Sequence, residues 1–362
     1  MVREYLPFVD WMKCAGIFLI VWGHVAVGTF NRFTPPIYPK QFGVALFIFV
    51  IGFSLARETR PRWQVVFNRL FEIYLYGLAI ALFLSIVMYA TKGTLNLSNY
   101  EPLVLGVNVL VDNFPANPTT WYIGTYIHII ILWAVAVRSV RVRLWMVIAC
   151  VLVEVPVRAT LLSAAGNYIA YMLFTNWAGT FLIGTWFGQN SRDVSGSRSA
   201  VWRYLGLLLT FLTAWGIFMP ARLVEPSFPF GRISEVGPIV DPLVTSACVS
   251  LLYATFAVLV FQVTRRLPAP GWVRFFSRNT LFIFIAHMPV FYAIEAPLKA
   301  WSPSFAPRAV IQLLVCFVGL ALVSEIVTRA IRPKALRDWV GQNLLRSVLA
   351  PAVIAQGAAK PR

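Results

Sequence analysis

The chain has 362 residues, of which 59% are hydrophobic and 12% charged, and its mean hydropathy is +0.73. This composition excludes an ordinary soluble domain and predicts a multi-pass membrane protein, because long apolar runs recur along the whole sequence. The net charge of +17 does not indicate nucleic-acid binding, since the basic residues stand in short clusters between apolar runs, where lipid headgroups are the expected neighbours.

Apolar runs of roughly 17 to 25 residues predict membrane-spanning helices. Ten such runs follow one another, so we expect an all-α bundle of about ten transmembrane helices. In chain order the predicted spans are 14–30, 42–56, 65–90, 120–137, 143–161, 168–188, 202–219, 242–263, 280–298 and 309–331.

The loops between these spans predict the orientation of the chain. The even-numbered loops and the C-terminal segment contain more than twice as many Lys and Arg residues as the odd-numbered loops. Arg158 is counted with the odd-numbered loops. Because basic residues accumulate on the cytoplasmic side, both termini are predicted to be cytoplasmic. A signal peptide is disfavoured, since the first apolar run contains His24 and no small-residue cleavage site precedes Arg32.

Two domains are expected from this pattern. Residues 1–332 form the transmembrane domain, and residues 333–362 form a basic tail. Leu336, Trp339 and Val340 recur among basic residues there, as in an amphipathic helix on the anionic cytoplasmic leaflet.

Lys13 and His24 share one face of the first predicted helix. They are eleven residues apart, which is three turns plus about 20°, and their separation along the axis is roughly 16 Å. Lys13 can therefore lie at the cytoplasmic edge while His24 lies near the middle of the bilayer. One interpretation is that Lys13 reaches the headgroups and pairs with Asp10; the other is that it attracts a phosphate-bearing donor whose reactive end reaches His24.

All three histidines lie inside predicted spans at similar depths. By helix geometry His24 and His287 lie roughly 16 and 14 Å in from the cytoplasmic side, and His128 lies roughly 11 Å in from the outer side. Each could be a hydrogen-bonded structural residue, a metal ligand or a catalytic base. No H-x-x-x-H pair or nearby carboxylates indicate a metal, and the four scattered cysteines indicate neither zinc nor disulfides. A neutral imidazole can accept a proton, as a general base must.

The N-terminal segment YLPFVDWMKCAGIFLIVWGHV resembles the opening of the acyltransferase-3 family of integral membrane acetyltransferases. In that family an Asp is followed by a basic residue, ten positions and a histidine, and the form Asp10-Trp11-x-Lys13 resembles the branch related to sugar O-acetylases. Three later segments resemble the family in the expected order: VALFIFVIGFSLAR, TTWYIGTY and RNTLFIFIAHMPVFY. The resemblance covers residues from about 5 to 330.

This resemblance implies an acyl-CoA donor, usually acetyl-CoA, bound from the cytoplasm as a substrate, and a hydroxyl acceptor on an extracytoplasmic glycan or lipid-linked oligosaccharide. We expect the catalytic group to be His24, His287 and Asp10, with His24 as general base. The residues expected to bind the CoA phosphates are Lys13, Arg57, Arg60 and Arg69. One departure is that the family's second arginine at the start of the third span is replaced by Glu72.

Further expectations concern location and partners. The protein should lie in the bacterial inner membrane, contact membrane lipids and other polysaccharide-assembly proteins, and bind no nucleic acid. The outer loop 221–241 carries mixed charges and aromatic residues that are candidates for glycan contact. The alternatives are a transporter or flippase for a lipid-linked sugar, which would also need buried ionisable groups, and a catalytically silent relative that binds a membrane partner.

Overall fold

The computed structural model describes residues 5–25, 39–92, 100–111, 118–190, 199–224, 240–302 and 304–343. These residues are mostly helical and include no β-strand, which confirms the predicted all-α fold. The helices in chain order are α1 (Pro7–Val25), α2 (Pro39–Ala56), α3 (Arg62–Lys92), α4 (Tyr100–Val104), α5 (Trp121–Leu132), α6 (Leu144–Ala164), α7 (Asn167–Met172), α8 (Ala178–Asn190), α9 (Ser199–Val224), α10 (Val240–Thr264), α11 (Gly271–Trp301), α12 (Phe305–Leu313), α13 (Leu320–Ile331) and α14 (Pro333–Asn343).

Every predicted span overlaps at least one helix. Among the described residues, five segments are long and apolar enough to cross a bilayer: Arg62–Ile86, Leu144–Ala164, Asp241–Thr264, Gly271–Trp301 and Phe305–Asn343. Shorter apolar helices occupy Lys40–Ala56, Trp121–Val137 and Arg203–Ile217. The chain is therefore a multi-pass membrane protein, while the number of ten spans and the cytoplasmic side of the termini stay predictions.

The sixth predicted span, 168–188, is not one continuous helix. It divides into α7 and α8 around a 3₁₀ turn at Phe174–Asn176. Side chains replace the interrupted backbone bonds, because the Asn176 amide and the Trp177 indole both donate to the Tyr171 carbonyl, at 3.1 and 3.0 Å. The sequence did not predict this break, because the side chains that replace the lost backbone hydrogen bonds lie within the same predicted span.

Close backbone packing joins α2 to α8 at the centre of the bundle. A Cβ atom added at Gly52 would lie 2.2 Å from the Phe181 carbonyl oxygen, and one added at Gly184 would lie 2.2 Å from the Phe49 carbonyl oxygen. Glycine at these positions therefore lets the two helices touch through their backbones, a contact typical of membrane bundles. Helix α1 packs against α2.

Helices α1 and α11 run parallel and in contact. At one end Asp10 accepts a hydrogen bond of 2.5 Å from the Ser277 hydroxyl, and at the other the ring centroids of His24 and His287 are 5.1 Å apart. The order of these contacts along both helices fixes their common direction. Two residues distant in sequence, His24 and His287, are thereby brought together.

A buried ion pair corrects the count of loop charges. Arg158 is 0% exposed inside α6, where it pairs with Glu154 one turn earlier, so it is not a loop residue as predicted. Its guanidinium also donates to the Asn176 side chain at 2.5 Å and to the Ser250 hydroxyl at 2.7 Å. Glu154 accepts from the Gly179 amide at 2.6 Å. The pair satisfies its own charges and links α6 to α8 and α10.

The C-terminal helix α14 contacts α3. Arg337 forms a salt bridge of 3.1 Å with Glu72, while Trp339 is exposed. The basic tail begins with this amphipathic helix, and residues 344–362 lie outside the described residues. The division into domains at residue 332 stays a prediction.

Candidate active site

A large cavity opens at the Lys13 end of α1. Its volume is about 1600 Å³, and its lining includes seven cationic and three acidic side chains. The charged residues are Lys13, Arg57, Arg60, Arg69, Arg138, Arg141 and Arg278, with Asp10, Glu58 and Glu72. We call this space the basic cavity. Its excess of cations favours an anionic ligand, and all four predicted phosphate-binding residues line it.

A smaller cavity of about 490 Å³ lies at the other end of α1. It is lined by His24 and His287 together with Lys40 and several aromatic side chains. The aromatic residues are Trp121, Tyr168, Tyr171, Phe284 and Tyr292. We call this space the histidine pocket. His128, the third predicted candidate, is not among its lining residues and packs against Phe174 with ring centroids 6.2 Å apart.

The hydrogen bonds of His287 define its chemical state. Its Nδ1 atom lies 2.7 Å from the carbonyl oxygen of Phe284 and 3.2 Å from that of Ile283. A carbonyl only accepts, so Nδ1 carries the proton and Nε2 keeps its lone pair. Nε2 is buried and has no hydrogen-bond partner among the described residues. An acceptor atom is thus available beside the His24 ring.

Asp10 lies apart from the histidines. Its carboxylate accepts hydrogen bonds from the Ser277 hydroxyl at 2.5 Å and the Tyr5 hydroxyl at 2.7 Å, on the wall of the basic cavity. The structure therefore does not bring together the predicted group of His24, His287 and Asp10. Asp10 joins α1 to α11 at the opposite end from the histidine pair.

The predicted phosphate-binding arginines differ in their partners. Arg60 is held by Glu58 through hydrogen bonds of 2.9 and 2.7 Å, and these raise the pKa of the Arg60 guanidinium above its ordinary value. Arg57 lies 5.8 Å from the centroid of the Phe53 ring. Arg69 lies beside the Tyr126 hydroxyl. Arg60 therefore already has a carboxylate partner with which a phosphate would have to compete.

Sequence reasoning missed Arg138. It was interpreted as one of the positive charges that set the orientation, yet it lines the basic cavity and stacks on Trp133 at 5.2 Å. Its Nη1 atom is buried without a hydrogen-bond partner among the described residues, and this burial lowers the pKa of the guanidinium. Gln189 holds the Arg138 loop, accepting from the Val142 amide at 2.8 Å. No pattern in the sequence separates Arg138 from its neighbours.

The two cavities meet at Phe284. Among the described residues it is the one side chain that lines both, and it is 4% exposed. Phe284 stands one helical turn before His287 and its carbonyl accepts the His287 proton. The Lys13 end and the His24 end of α1 thus border two cavities that share this aromatic side chain, and a path between them stays a prediction.

The comparison with known families now places the chain. The family model described as "Acyltransferase domain" matches residues 6–327, which is most of the chain. The protein belongs to the acyltransferase-3 family. Searches of curated proteins and of solved structures each found no significant match. Family membership favours a membrane acyltransferase over the transporter or flippase alternative.

For an acyltransferase, this arrangement supplies two complementary environments. The basic cavity can hold several negative charges through guanidinium groups, which suit bidentate contact with phosphate. The histidine pocket supplies two adjacent imidazoles, aromatic walls and Lys40, and an alcohol can hydrogen-bond to an imidazole nitrogen. Chemistry between a polyanionic donor and an alcohol requires both environments and a route between them.

Proposed function

We propose that this acyltransferase transfers an acyl group, in the simplest case acetyl, from cytoplasmic acyl-CoA to a hydroxyl group of an extracytoplasmic glycan or its lipid-linked precursor. The reaction takes place in the histidine pocket, with His24 as general base. The Asp10-Trp11-x-Lys13 sequence resembles that of the sugar O-acetylase branch. This resemblance supports a sugar hydroxyl as the acceptor. The bacterial inner membrane is the proposed location.

The donor side of the proposal rests on the basic cavity. A molecule with several phosphates cannot cross lipid, but its flexible thioester arm can reach between helices. Arg138 offers a buried Nη1 atom that has no hydrogen-bond partner within the described part of the chain, and Lys13 begins the stripe that leads to His24. Because α1 is one continuous helix, the arm must extend roughly 16 Å from the Lys13 level to the His24 level.

The chemical step needs no further reactant. The hydroxyl oxygen attacks the thioester carbon while His24 accepts the hydroxyl proton. The carbon–sulfur bond then breaks, and the CoA thiolate takes the proton back from His24. The products are an ester and free CoA, and general-base assistance of this kind typically contributes about 10² to 10⁴ in rate.

His287 acts in this proposal as a positioning residue. Neutral His24 has one N–H group and one lone pair, and both cannot point at the substrate. The free Nε2 atom of His287 can accept the His24 N–H, which directs the His24 lone pair toward the alcohol. Asp10 supports the site indirectly by fixing α1 against α11.

The observation that carries the proposal is the contact of the two cavities at Phe284, with the cations on one side and the histidine pair on the other. A flippase would need a route wide enough for a sugar and its phosphate, whereas an acyltransferase needs a route only for a thioester arm. A silent binding partner would need neither the unpaired arginine nor the histidine pair.

The decisive experiment compares glycan from cells with the wild-type protein and the His24→Ala variant, with ester content measured by NMR. We expect the ester to fall to background in the variant, at unchanged protein level and glycan export. His128→Ala is the matched control, because His128 lies in the bundle outside the histidine pocket, and it should retain the ester. Normal ester content in His24→Ala would overturn the proposal, and loss of export would select the flippase.

A second measurement isolates His287. In inside-out membrane vesicles supplied with acetyl-CoA, His287→Gln should lower the maximal rate of ester formation about tenfold or more while the affinity for CoA stays unchanged. The pH profile should also change, since the base is no longer held in one orientation. Equal loss of rate and CoA affinity would indicate a structural role instead.

A further inference from the structure

Three aromatic rings stand where the basic cavity meets the histidine pocket. Phe47 comes from α2, Tyr122 from α5 and Phe284 from α11. The ring centroids are 4.7 Å apart for Tyr122 and Phe284, 6.4 Å for Phe47 and Phe284, and 6.5 Å for Phe47 and Tyr122. All three rings line the basic cavity, and Phe284 also lines the histidine pocket. We call this set the three-ring layer.

Rings at these separations are in mutual contact. Tyr122 and Phe284 are 6% and 4% exposed, so the layer is also largely withdrawn from solvent. A group that moves from the Lys13 end to the His24 end passes the Phe284 side chain, which lines both cavities. The three-ring layer itself offers this group aromatic faces and one polar group, the Tyr122 hydroxyl.

We propose that the three-ring layer determines acyl-group specificity by admitting neutral acyl groups and excluding those that carry a carboxylate, such as succinyl. This inference rests on the proposed function, because the acyl group is the leading end of a donor that comes from the basic cavity. An acetyl group loses little on entering an apolar layer. A carboxylate loses its hydration there without gaining a counter-ion.

The charges on either side of the layer would produce the opposite preference. The seven cations of the basic cavity attract a donor with an additional negative charge, and Lys40 in the histidine pocket would also favour one. Selection against a charged acyl group therefore has to occur in the layer between them. On membrane-insertion scales, the cost of a charge at mid-membrane corresponds to a preference of about a hundredfold.

The experiment uses inside-out membrane vesicles that contain the full-length protein and their own glycan acceptor. Equal concentrations of isotopically labelled acetyl-CoA and succinyl-CoA are supplied together, and the esters on extracted glycan are counted by mass spectrometry. The wild-type protein should prefer acetyl by about a hundredfold. Phe284→Asn should reduce this preference at least tenfold by adding a polar group to the layer.

Two controls separate polarity from size and position. Phe284→Leu places a side chain close to asparagine in size but apolar, and it should keep the preference for acetyl. Phe282→Asn alters a buried ring of the same helix that packs on Tyr76 at 5.9 Å and lines neither cavity, and it should also keep the preference. Binding of CoA to detergent-purified protein verifies folding, and Phe47→Asn tests the layer from α2 should Phe284→Asn not fold.

The outcomes distinguish the inference from the proposed function. Absence of any acyl transfer by the wild-type protein would overturn the proposed function. Transfer of acetyl and succinyl at similar rates by the wild-type protein would overturn the inference alone. An unchanged preference in folded Phe284→Asn and Phe47→Asn would likewise overturn it, and a reduced preference in Phe284→Leu equal to that in Phe284→Asn would show that size, not polarity, selects.

Discussion

Two groups of charged side chains inside the helical bundle differ in how their charges are satisfied. The Glu154–Arg158 pair is fully enclosed, and both partners have several hydrogen bonds from α8, α10 and the turn before α8. Arg138 is only partly enclosed, and its buried Nη1 atom has no partner among the described residues. A buried pair whose charges are satisfied serves the fold, whereas a guanidinium with a buried N–H group that lacks a partner beside a cavity indicates a site for an anion.

The largest expected effect concerns the enclosed pair. Arg158→Met leaves the Glu154 carboxylate buried without its counter-ion, which should lower the free energy of unfolding by about 3 to 5 kcal/mol. Chemical denaturation of the detergent-purified protein measures this. The double substitution Glu154→Gln with Arg158→Met should recover part of the loss, because it removes both charges. A single variant as stable as the wild type would contradict the structural role of the pair.

Arg138→Gln should weaken CoA binding without lowering the stability of the protein. A hydrogen bond to a charged group contributes about 1.5 to 3 kcal/mol, so the dissociation constant for CoA should rise about 10- to 100-fold while the unfolding midpoint stays unchanged. Titration calorimetry with CoA measures the affinity. Arg329→Gln, an exposed arginine outside the basic cavity, is the matched control and should bind CoA normally. Equal affinities in the two variants would remove Arg138 from the donor site.

Arg60→Gln tests whether an arginine that is already paired with a carboxylate contributes to CoA binding. Arg60 lines the same cavity as Arg138, but its Nε and Nη2 atoms both donate to the Glu58 carboxylate. Its substitution should therefore change the dissociation constant for CoA by less than about threefold, since a guanidinium already paired to a carboxylate adds little net attraction for a phosphate. A loss as large as that of Arg138→Gln would show that the Glu58 pair opens when CoA binds.

The smallest effect is expected at α14. The Arg337–Glu72 salt bridge is partly exposed, and pairs of this kind contribute about 0 to 1 kcal/mol. Arg337→Gln should accordingly leave the unfolding free energy within about 1 kcal/mol of the wild type and CoA affinity unchanged. The same calorimetric and denaturation measurements test it. A marked gain in CoA affinity would indicate that α14 restricts access to the basic cavity.

The Lys13–His24 stripe and the position of His287 could be predicted because both follow from helical spacing within one apolar run. The pairing of His24 with His287 follows from the parallel packing of α1 on α11, and the sequence indicated it only through similar depth. Asp10 was grouped with the histidines because it is close to Lys13 in sequence, yet it lies at the other end of α1. The glycan-contact residues predicted in 221–241 lie for the most part outside the described residues.

By itself the sequence determined the all-α membrane fold, the approximate helices, the family and the placement of Lys13 and His24 on one helix. These properties depend on composition and on periodicity along the chain, which are local. The tertiary structure decided which charges are satisfied, where the helix breaks between α7 and α8, that Arg138 lines the basic cavity, and that three rings from distant helices meet where the two cavities share Phe284. These depend on contacts between segments far apart in the chain, and neither periodicity nor composition specifies such contacts.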